Sequence, residues 1–280
     1  MLASWMGLFV LAFLSQPFLD VFTTYGTQLL TPFSNKRFAL DAVPIIDPFY
    51  SLILIAALVV WIRTSPGRRA RVGRRAAAVA LVLSTSYLFY GLWLNERAER
   101  EVRRQLAEDG ISGAQVHVYP TIFQVYLRRV VARLDNEVLV GMITMWKPGQ
   151  VRWHRFTIPE HPMIDELAET NGGRIFVWFA AGEVVPRVIE LDDGYLVELD
   201  DLRYGFFQEP DQGIWGVRGK FDRNGNLQGE VVRFQRHFEV GMETFVNLWR
   251  ASFGLIPEVR PLAPSEGWIE KGEASGLATP

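Results

Sequence analysis

The sequence predicts a membrane α-helical anchor of about three transmembrane helices, joined to a soluble α+β domain that is mainly antiparallel β. Three observations carry this. Long uncharged apolar runs are confined to the first 95 residues. Beyond residue 110 the pattern turns to period two with β-branched and aromatic residues. The charge divides at the same place: residues 1–95 hold eight basic and three acidic side chains (net +5), and residues 96–280 hold 21 basic and 28 acidic (net −7). The averages over 280 residues, 49% hydrophobic and 21% charged with a net charge of −2, conceal that division. So does the mean hydropathy of +0.09.

The first apolar run, Met1–Phe18, is uncharged and dominated by Trp5, Leu8, Phe9, Val10, Leu11, Phe13 and Leu14. A signal peptide is the competing reading, but no basic segment precedes the run and no small-residue cleavage site follows it. Pro48–Ile62 is the second run and Ala76–Leu94 the third, with Tyr87, Tyr90 and Trp93 toward its far end. About 20 apolar residues cross about 30 Å of hydrocarbon. The third meets this outright, the second if it starts near Val43, the first if tilted; two spans plus a surface segment is the alternative.

Between the second and third runs lie Arg63, Arg68, Arg69, Arg71, Arg74 and Arg75 with no acidic residue among them. Arginines so close to a span stay cytoplasmic. The chain start is therefore expected on the cytoplasmic side, with residues 19–44 and everything after Leu94 on the other, periplasmic in a bacterium. The same arginines suit anionic lipid better than nucleic acid.

Residues 95–109 should prolong the third helix beyond the bilayer and end at Gly110. Strands are expected at Gln115–Tyr119, Val125–Leu134, Glu137–Trp146, Val151–Ile158, Arg174–Ala180, Val184–Leu191, Tyr195–Leu199, Ile214–Asp222 and Leu227–His237. Asn224-Gly225 predicts a hairpin turn, since both residues tolerate positive φ. Pro162 opens a helix over MIDELAET, and residues 241–254 form an amphipathic helix packing Phe245, Leu248, Trp249 and Phe253. The organisation is a transmembrane region over 1–95, a helical linker over 96–110, an extracytoplasmic β-rich domain over 111–256, and a disordered tail over 257–280.

The absence of cysteine excludes disulfides, thiolate metal sites and a cysteine nucleophile. No G-x-S-x-G elbow, Walker loop, G-x-G-x-x-G or His-Glu-x-x-His occurs. His117, His154, His161 and His237 show no metal-ligand spacing among themselves. Asp192-Asp193 and Asp200-Asp201 read as turn residues, with Asp201 paired to Arg203. The densest polar cluster of the membrane half runs from Gln16 through Asp20, Thr23, Thr24 and Gly26 to Gln28, followed by Arg37, Asp41 and Asp47. Carboxylates at the end of an apolar segment usually have a partner or a task. Asp20 and Asp47 could share a cation or pair with Arg37; the plainer alternative is an interfacial carboxylate that caps a helix.

The segment LDVFTTYGTQLLTPFSNKRFALD, followed by PIIDPFYSL, resembles the YdjM-like, LexA-regulated inner-membrane family of metal-dependent hydrolases. In that family the segment reads His-x-x-x-Asp-x-x-Thr-x-x-Gly. Tyr119-Pro120-Thr121, Val140-Gly141, Arg174–Phe179 and Asp201-Leu-Arg203-Tyr204-Gly205 are similar to the subfamily with a C-terminal extracytoplasmic domain. The resemblance covers residues 8–240. It implies an inner-membrane location, a divalent metal and a phosphoester or lipid-like substrate at the membrane interface. By position it carries over Asp20 as a metal ligand, with Gln16, Thr24, Gly26 and Arg37 as motif neighbours and Asp47 as a second candidate. Gln16 stands where the family has its histidine, and the first histidine of the chain is His117. The family also has an upstream His-Arg-Gly-x-Thr-His-Ser stretch, so the chain reads either as an incomplete version or as a paralogue that lost catalysis. About three protein ligands make a hydrolytic metal site, and the expected one is incomplete. The competing function is a non-catalytic, membrane-anchored binding or structural domain whose aromatic-rich sheet (Phe176, Trp178, Phe179, Tyr204, Phe206, Phe207, Trp215) receives a partner.

Overall fold

The computed structural model describes residues 2–205, 212–236, 241–255 and 269–271. Among the described residues six helices and two sheets follow in the order three helices, the first sheet, two helices and the second sheet, with the sixth helix before that sheet's last strand. The first apolar run forms α1 (Leu2–Val21) and the second forms α2 (Pro48–Arg63). The third continues without a break into the polar segment as α3 (Pro66–Glu108), 43 residues or about 65 Å long. Only Thr64 and Ser65 separate α2 from α3, so the arginine cluster lies on the first turns of α3 and not in a loop. Among the described residues α3 is the one helix long and apolar enough to cross a membrane; α1 and α2 are shorter apolar helices. By length and composition α3 qualifies as a crossing, and the expected three are not confirmed: the 16 residues of α2 reach only about 24 Å.

Helix α3 buries Ala80, Ser84, Leu88, Gly91, Leu94, Ala98, Val102, Gln105 and Leu106, a stripe spaced three and four apart from Ala80 to its C-terminal end. The upper part of the stripe faces α2 and the loop before it, and the lower part faces a sheet. That sheet is an antiparallel meander of β1 (Gln115–Pro120), β2 (Leu127–Arg133), β3 (Glu137–Thr144) and β4 (His154–Thr157). Leu94, Ala98 and Val102 of α3 share one core with Val116, Val118, Val130, Ala132 and Leu139. The meander's other face carries Tyr119, Val131, Val138 and Val140 against Val185 and Leu202 of the second sheet. Both faces of β2 are therefore covered, and its Arg128 and Arg129 are buried.

The second sheet has the order β8-β7-β6-β5-β9: β5 (Val184–Leu191), β6 (Gly194–Asp201), β7 (Trp215–Phe221) and β8 (Leu227–Gln235) are antiparallel, and β9 (Ile269–Lys271) adds in parallel to β5. Its outer face is closed by α4 (Pro162–Glu169) and α5 (Asn171–Phe179), through Met163, Leu167 and Phe176 on Val188, Val197, Val217 and Phe221. Helix α6 (Met242–Ser252) packs on the first sheet through Leu248 and Ala251.

One expectation needs correction. Arg174–Ala180 is a helix: Thr170 caps α5 by accepting from Gly173 N at 3.0 Å, and one apolar side chain per turn, Phe176, points to the sheet. The expected hairpin turn joins β7 and β8, with Gly225 at φ 86°. Gly225 N bonds Asp222 O and Asp222 N bonds Asn226 O, both at 3.0 Å, which is a type I turn closed by a left-handed glycine. Of the expected aromatic sheet, Phe206 and Phe207 lie outside the described residues, as do His237 and most of the tail; Phe176, Trp178 and Phe179 sit on α5.

Candidate functional site at the membrane–domain junction

Between α1 and α2 the chain makes a collar, residues 22–47, that presses against the β-rich domain. Its ends are sewn together by a short antiparallel bridge between Thr27 and Phe38. Gly26 makes the return possible. It sits at φ +61°, and a Cβ there would run into the Phe38 carbonyl. Thr23 Oγ1 donates to Asp20 O at 2.8 Å and accepts from Gly26 N, so the Asp-x-x-Thr-x-x-Gly spacing is met by Thr23, with the neighbouring Thr24 buried beside it.

Three arginines fasten the collar to the domain. Arg128 of β2 is fully buried and donates to four oxygens: Asp41 O (2.9 Å), Ala42 O (3.0 Å), Gly91 O (2.8 Å) and Asn95 Oδ1 (2.7 Å). It thus joins the collar, α3 and the first sheet at one guanidinium. Burial pushes Arg128 down to about 9, partly offset by the Asp41 carboxylate. Burial also pushes Asp41 up to about 6, against the pull of Arg203 and Arg128. Arg203, likewise buried, pairs with Asp201 at 2.8 Å, as its sequence position suggested, and donates to Thr24 O (3.3 Å) and Phe179 O (2.8 Å). Arg37 donates to Phe179 O and Tyr25 O and lies over the rings of Trp178 and Phe179. It binds carbonyls and π-faces, not Asp20 or Asp47.

Asp47 has a different task. As the N-cap of α2 it accepts from Phe49 N (2.9 Å) and Tyr50 N (3.1 Å) through Oδ1, and from the Tyr87 hydroxyl through Oδ2 (2.8 Å). Both carboxylate oxygens are engaged. Asp20 is half-buried near the end of α1, one turn from the exposed Gln16. Among the described residues no three histidine or carboxylate side chains converge as metal ligands would. Of the described histidines, His161 caps α4 through Nδ1 and His117 faces Glu183 at 3.5 Å.

The collar also builds a cavity. Tyr25 stacks on Tyr204 (centroids 5.1 Å) and Trp215 (6.1 Å) and tilts against Phe179 (5.8 Å). Tyr25, Phe179 and Trp215, with Ile175, Phe176, Trp178, Gly216, Arg233 and Phe234, wall a cavity of about 420 Å³. A Cβ at Gly216 would fall 2.5 Å from the Phe234 ring, so the glycine keeps this wall thin. Neither β7 nor α5 signalled this cavity in the sequence, because its fourth wall comes from a tyrosine about 150 residues upstream in the chain.

Residues 2–98 match the YdjM inner membrane protein family. That family is described as one of inner membrane proteins, and the apolar α3 agrees with the description. The YdjM match takes in α1, the collar, α2 and most of α3 and ends there, so the likeness noted for residues 119–205 lies outside it. A 52-residue stretch is 41% identical to the uncharacterized protein YfhP of Bacillus subtilis (strain 168), covering 19% of this chain. The aligned stretch spans 16% of that protein's length. No solved structure matches the chain.

Proposed function

We propose that this YdjM-segment protein is a membrane-anchored binding protein. In this reading the helical segment fixes the β-rich domain to the bilayer, and the aromatic cavity at their junction takes a small flat ligand. The observation that carries it is Tyr25: a residue of the YdjM segment supplies a wall of a cavity otherwise built by the domain. Rings stacked on three sides favour an aromatic or flat apolar body, and Arg233 at the wall suits an anionic group on it. The metal-dependent hydrolase reading, with Asp20 and Asp47 as ligands to a divalent cation and a phosphoester or lipid-like substrate, is the less supported one. The Asp47 carboxylate is already engaged by the cap and by Tyr87, and among the described residues Asp20 belongs to no group of three candidate ligands. These residues do not fit the metal.

Saturation-transfer NMR on the detergent-solubilised full chain, with a panel of planar aromatic carboxylates, tests the binding reading. Binding reduced at least tenfold in Tyr25→Leu and Trp215→Leu supports it. Indifference of every panel member to both substitutions overturns it. Titration calorimetry with zinc or manganese is the complementary measurement: stoichiometric binding lost on Asp20→Ala would restore the hydrolase.

For orientation we propose the domain on the periplasmic side, because Arg63 to Arg75 form an all-basic cluster at the other end of α3. The chain lacks cysteine, so Asn226→Cys provides a unique thiol at the β7–β8 turn. Its labelling in intact cells by a maleimide that crosses the outer but not the inner membrane supports this side; labelling only after lysis refutes it.

A further inference from the structure

Helix α6 has three faces where a surface helix ordinarily has two. At about 100° per residue, Leu248, Ala251 and Ser252 share one sector and are buried on the first sheet, where Thr144 Oγ1 donates to Ser252 O at 2.5 Å. Glu243, Asn247 and Arg250 share a second, polar sector. Met242, Phe245, Val246 and Trp249 share the third, and are exposed by 79, 42, 46 and 48%. The domain covers the first of these faces and touches the third only at its edge, through Phe123 against Phe245 (centroids 5.8 Å), and water suits only the second.

The neighbours of the apolar sector identify its occupant. Trp249 stacks on Phe49, in the first turn of α2, with centroids 6.3 Å apart and planes at 14°. On its other side a run of ring contacts passes from Trp249 to Phe253 (5.4 Å), Trp146 (5.3 Å), Tyr126 (5.4 Å), Tyr90 (6.3 Å) and Trp93 (5.8 Å). Tyr90 and Trp93 mark the end of the apolar part of α3, and Ile45, Ile46 and Phe49 stand exposed at the matching end of α2. The third face of α6 is thus continuous, through a belt of amphipathic rings, with the lipid-facing surface of the membrane helices.

We propose that α6 lies in the bilayer interface. Its Met242, Phe245, Val246 and Trp249 enter the headgroup–acyl boundary of the leaflet nearest the domain, and Arg250 stands at the phosphates. The helix pins the β-rich domain flat on the membrane that α3 crosses. A second copy of the chain fits less well: four side chains on an 11-residue helix offer a few hundred Å², well under the roughly 800 Å² per partner of a stable interface. The inference rests on the membrane reading of α3 and is independent of what the aromatic cavity binds.

Single-cysteine variants of the full chain, spin-labelled and reconstituted in phosphatidylcholine–phosphatidylglycerol vesicles, test it. Collision with oxygen and with a water-soluble nickel chelate is measured at Val246→Cys, Asn247→Cys, Asn226→Cys and Leu83→Cys. The result expected is at least a threefold lower nickel accessibility at 246 than at 247 and 226, with oxygen accessibility near that at 83. Nickel accessibility at 246 equal to that at 226, or dipolar broadening between labels at 246 that reveals a second copy, overturns the proposal. A label at 83 that is open to nickel overturns the membrane reading of α3 as well, so the two failures are distinguishable.

Discussion

Replacement of Arg128 by methionine separates the collar from the domain without opening a large hole. Methionine fills the aliphatic part of the site, and four oxygens lose a charged donor. The carbonyls of Asp41 and Ala42 belong to no helix or strand, and among the described hydrogen bonds each is met by Arg128 alone. A buried acceptor left unpaired costs about 1–3 kcal/mol, and loss of one partner from a buried charged network costs about 3–5 kcal/mol. We expect the lower part of that range, about 3 kcal/mol, because water can reach the collar edge. With about 2–4 °C per kcal/mol for chains of this size, the unfolding midpoint should fall by roughly 10 °C in a detergent-solubilised thermal scan followed by tryptophan fluorescence. Arg128→Lys should recover less than half of the loss, since three ammonium donors cannot reach four oxygens set around a planar fork. Arg155→Met is the control: its exposed ion pair with Glu137, at 3.6 Å, should be worth under ~0.5 kcal/mol. A midpoint for Arg128→Met within 2 °C of that control would refute the assignment of Arg128 as the fastener.

Gly91→Ala should destabilise by about 1–3 kcal/mol despite the better helix propensity of alanine. The new Cβ would stand 2.5 Å from Ala42 O, and the same thermal scan reads the loss. Asp47→Ala should cost about 1–2 kcal/mol through the lost cap, while Asp47→Asn keeps most of the stability; equal loss in both would mean that the charge, not the cap, matters. Asp41, with a folded pKa of about 6 against an ordinary 3.8, holds a proton in the folded state that it releases on unfolding between those values. Its contribution is therefore complete below about pH 4 and lost as the pH rises through 6, a swing of about 3 kcal/mol. Asp41→Asn should flatten the stability profile between pH 4 and 7, and an unchanged slope in denaturant titrations would contradict the burial of this carboxyl.

Much of the secondary structure was legible because its causes are local. Alternation in Gln115–Tyr119 and Val184–Leu191 matched strands to within a residue, Pro162 opened α4, and Gly110 closed α3 at φ +75°. Where a segment's pattern fitted two structures, the reading failed. Arg174–Ala180 holds a short apolar run that suits a buried strand or a helix, and Thr170 and the waiting face of the second sheet chose the helix. In α6 the sequence pointed Phe245, Leu248, Trp249 and Phe253 toward one core, and the structure buries Leu248 and turns Phe245 and Trp249 outward.

The sequence by itself determined that a basic apolar half precedes an acidic β-rich domain, and that the segment from Gln16 to Asp47 is the densest polar cluster of that apolar half. Those facts depend on composition, period and residue type, which are properties of a chain read in one dimension. What the segment does was decided only by tertiary structure. Asp47 is a cap because α2 begins one residue later and Tyr87 lies opposite on α3. Arg128, unremarkable within LRRVVAR, is a fastener because α3 covers its face of the sheet and brings Gly91 within reach of Ala42. Tyr25 lines a cavity because the collar folds back onto Tyr204 and Trp215, residues some 180 positions away. Hydrogen bonds and ring contacts act over a few ångströms of space, and along the chain nothing marks which distant residues will share them.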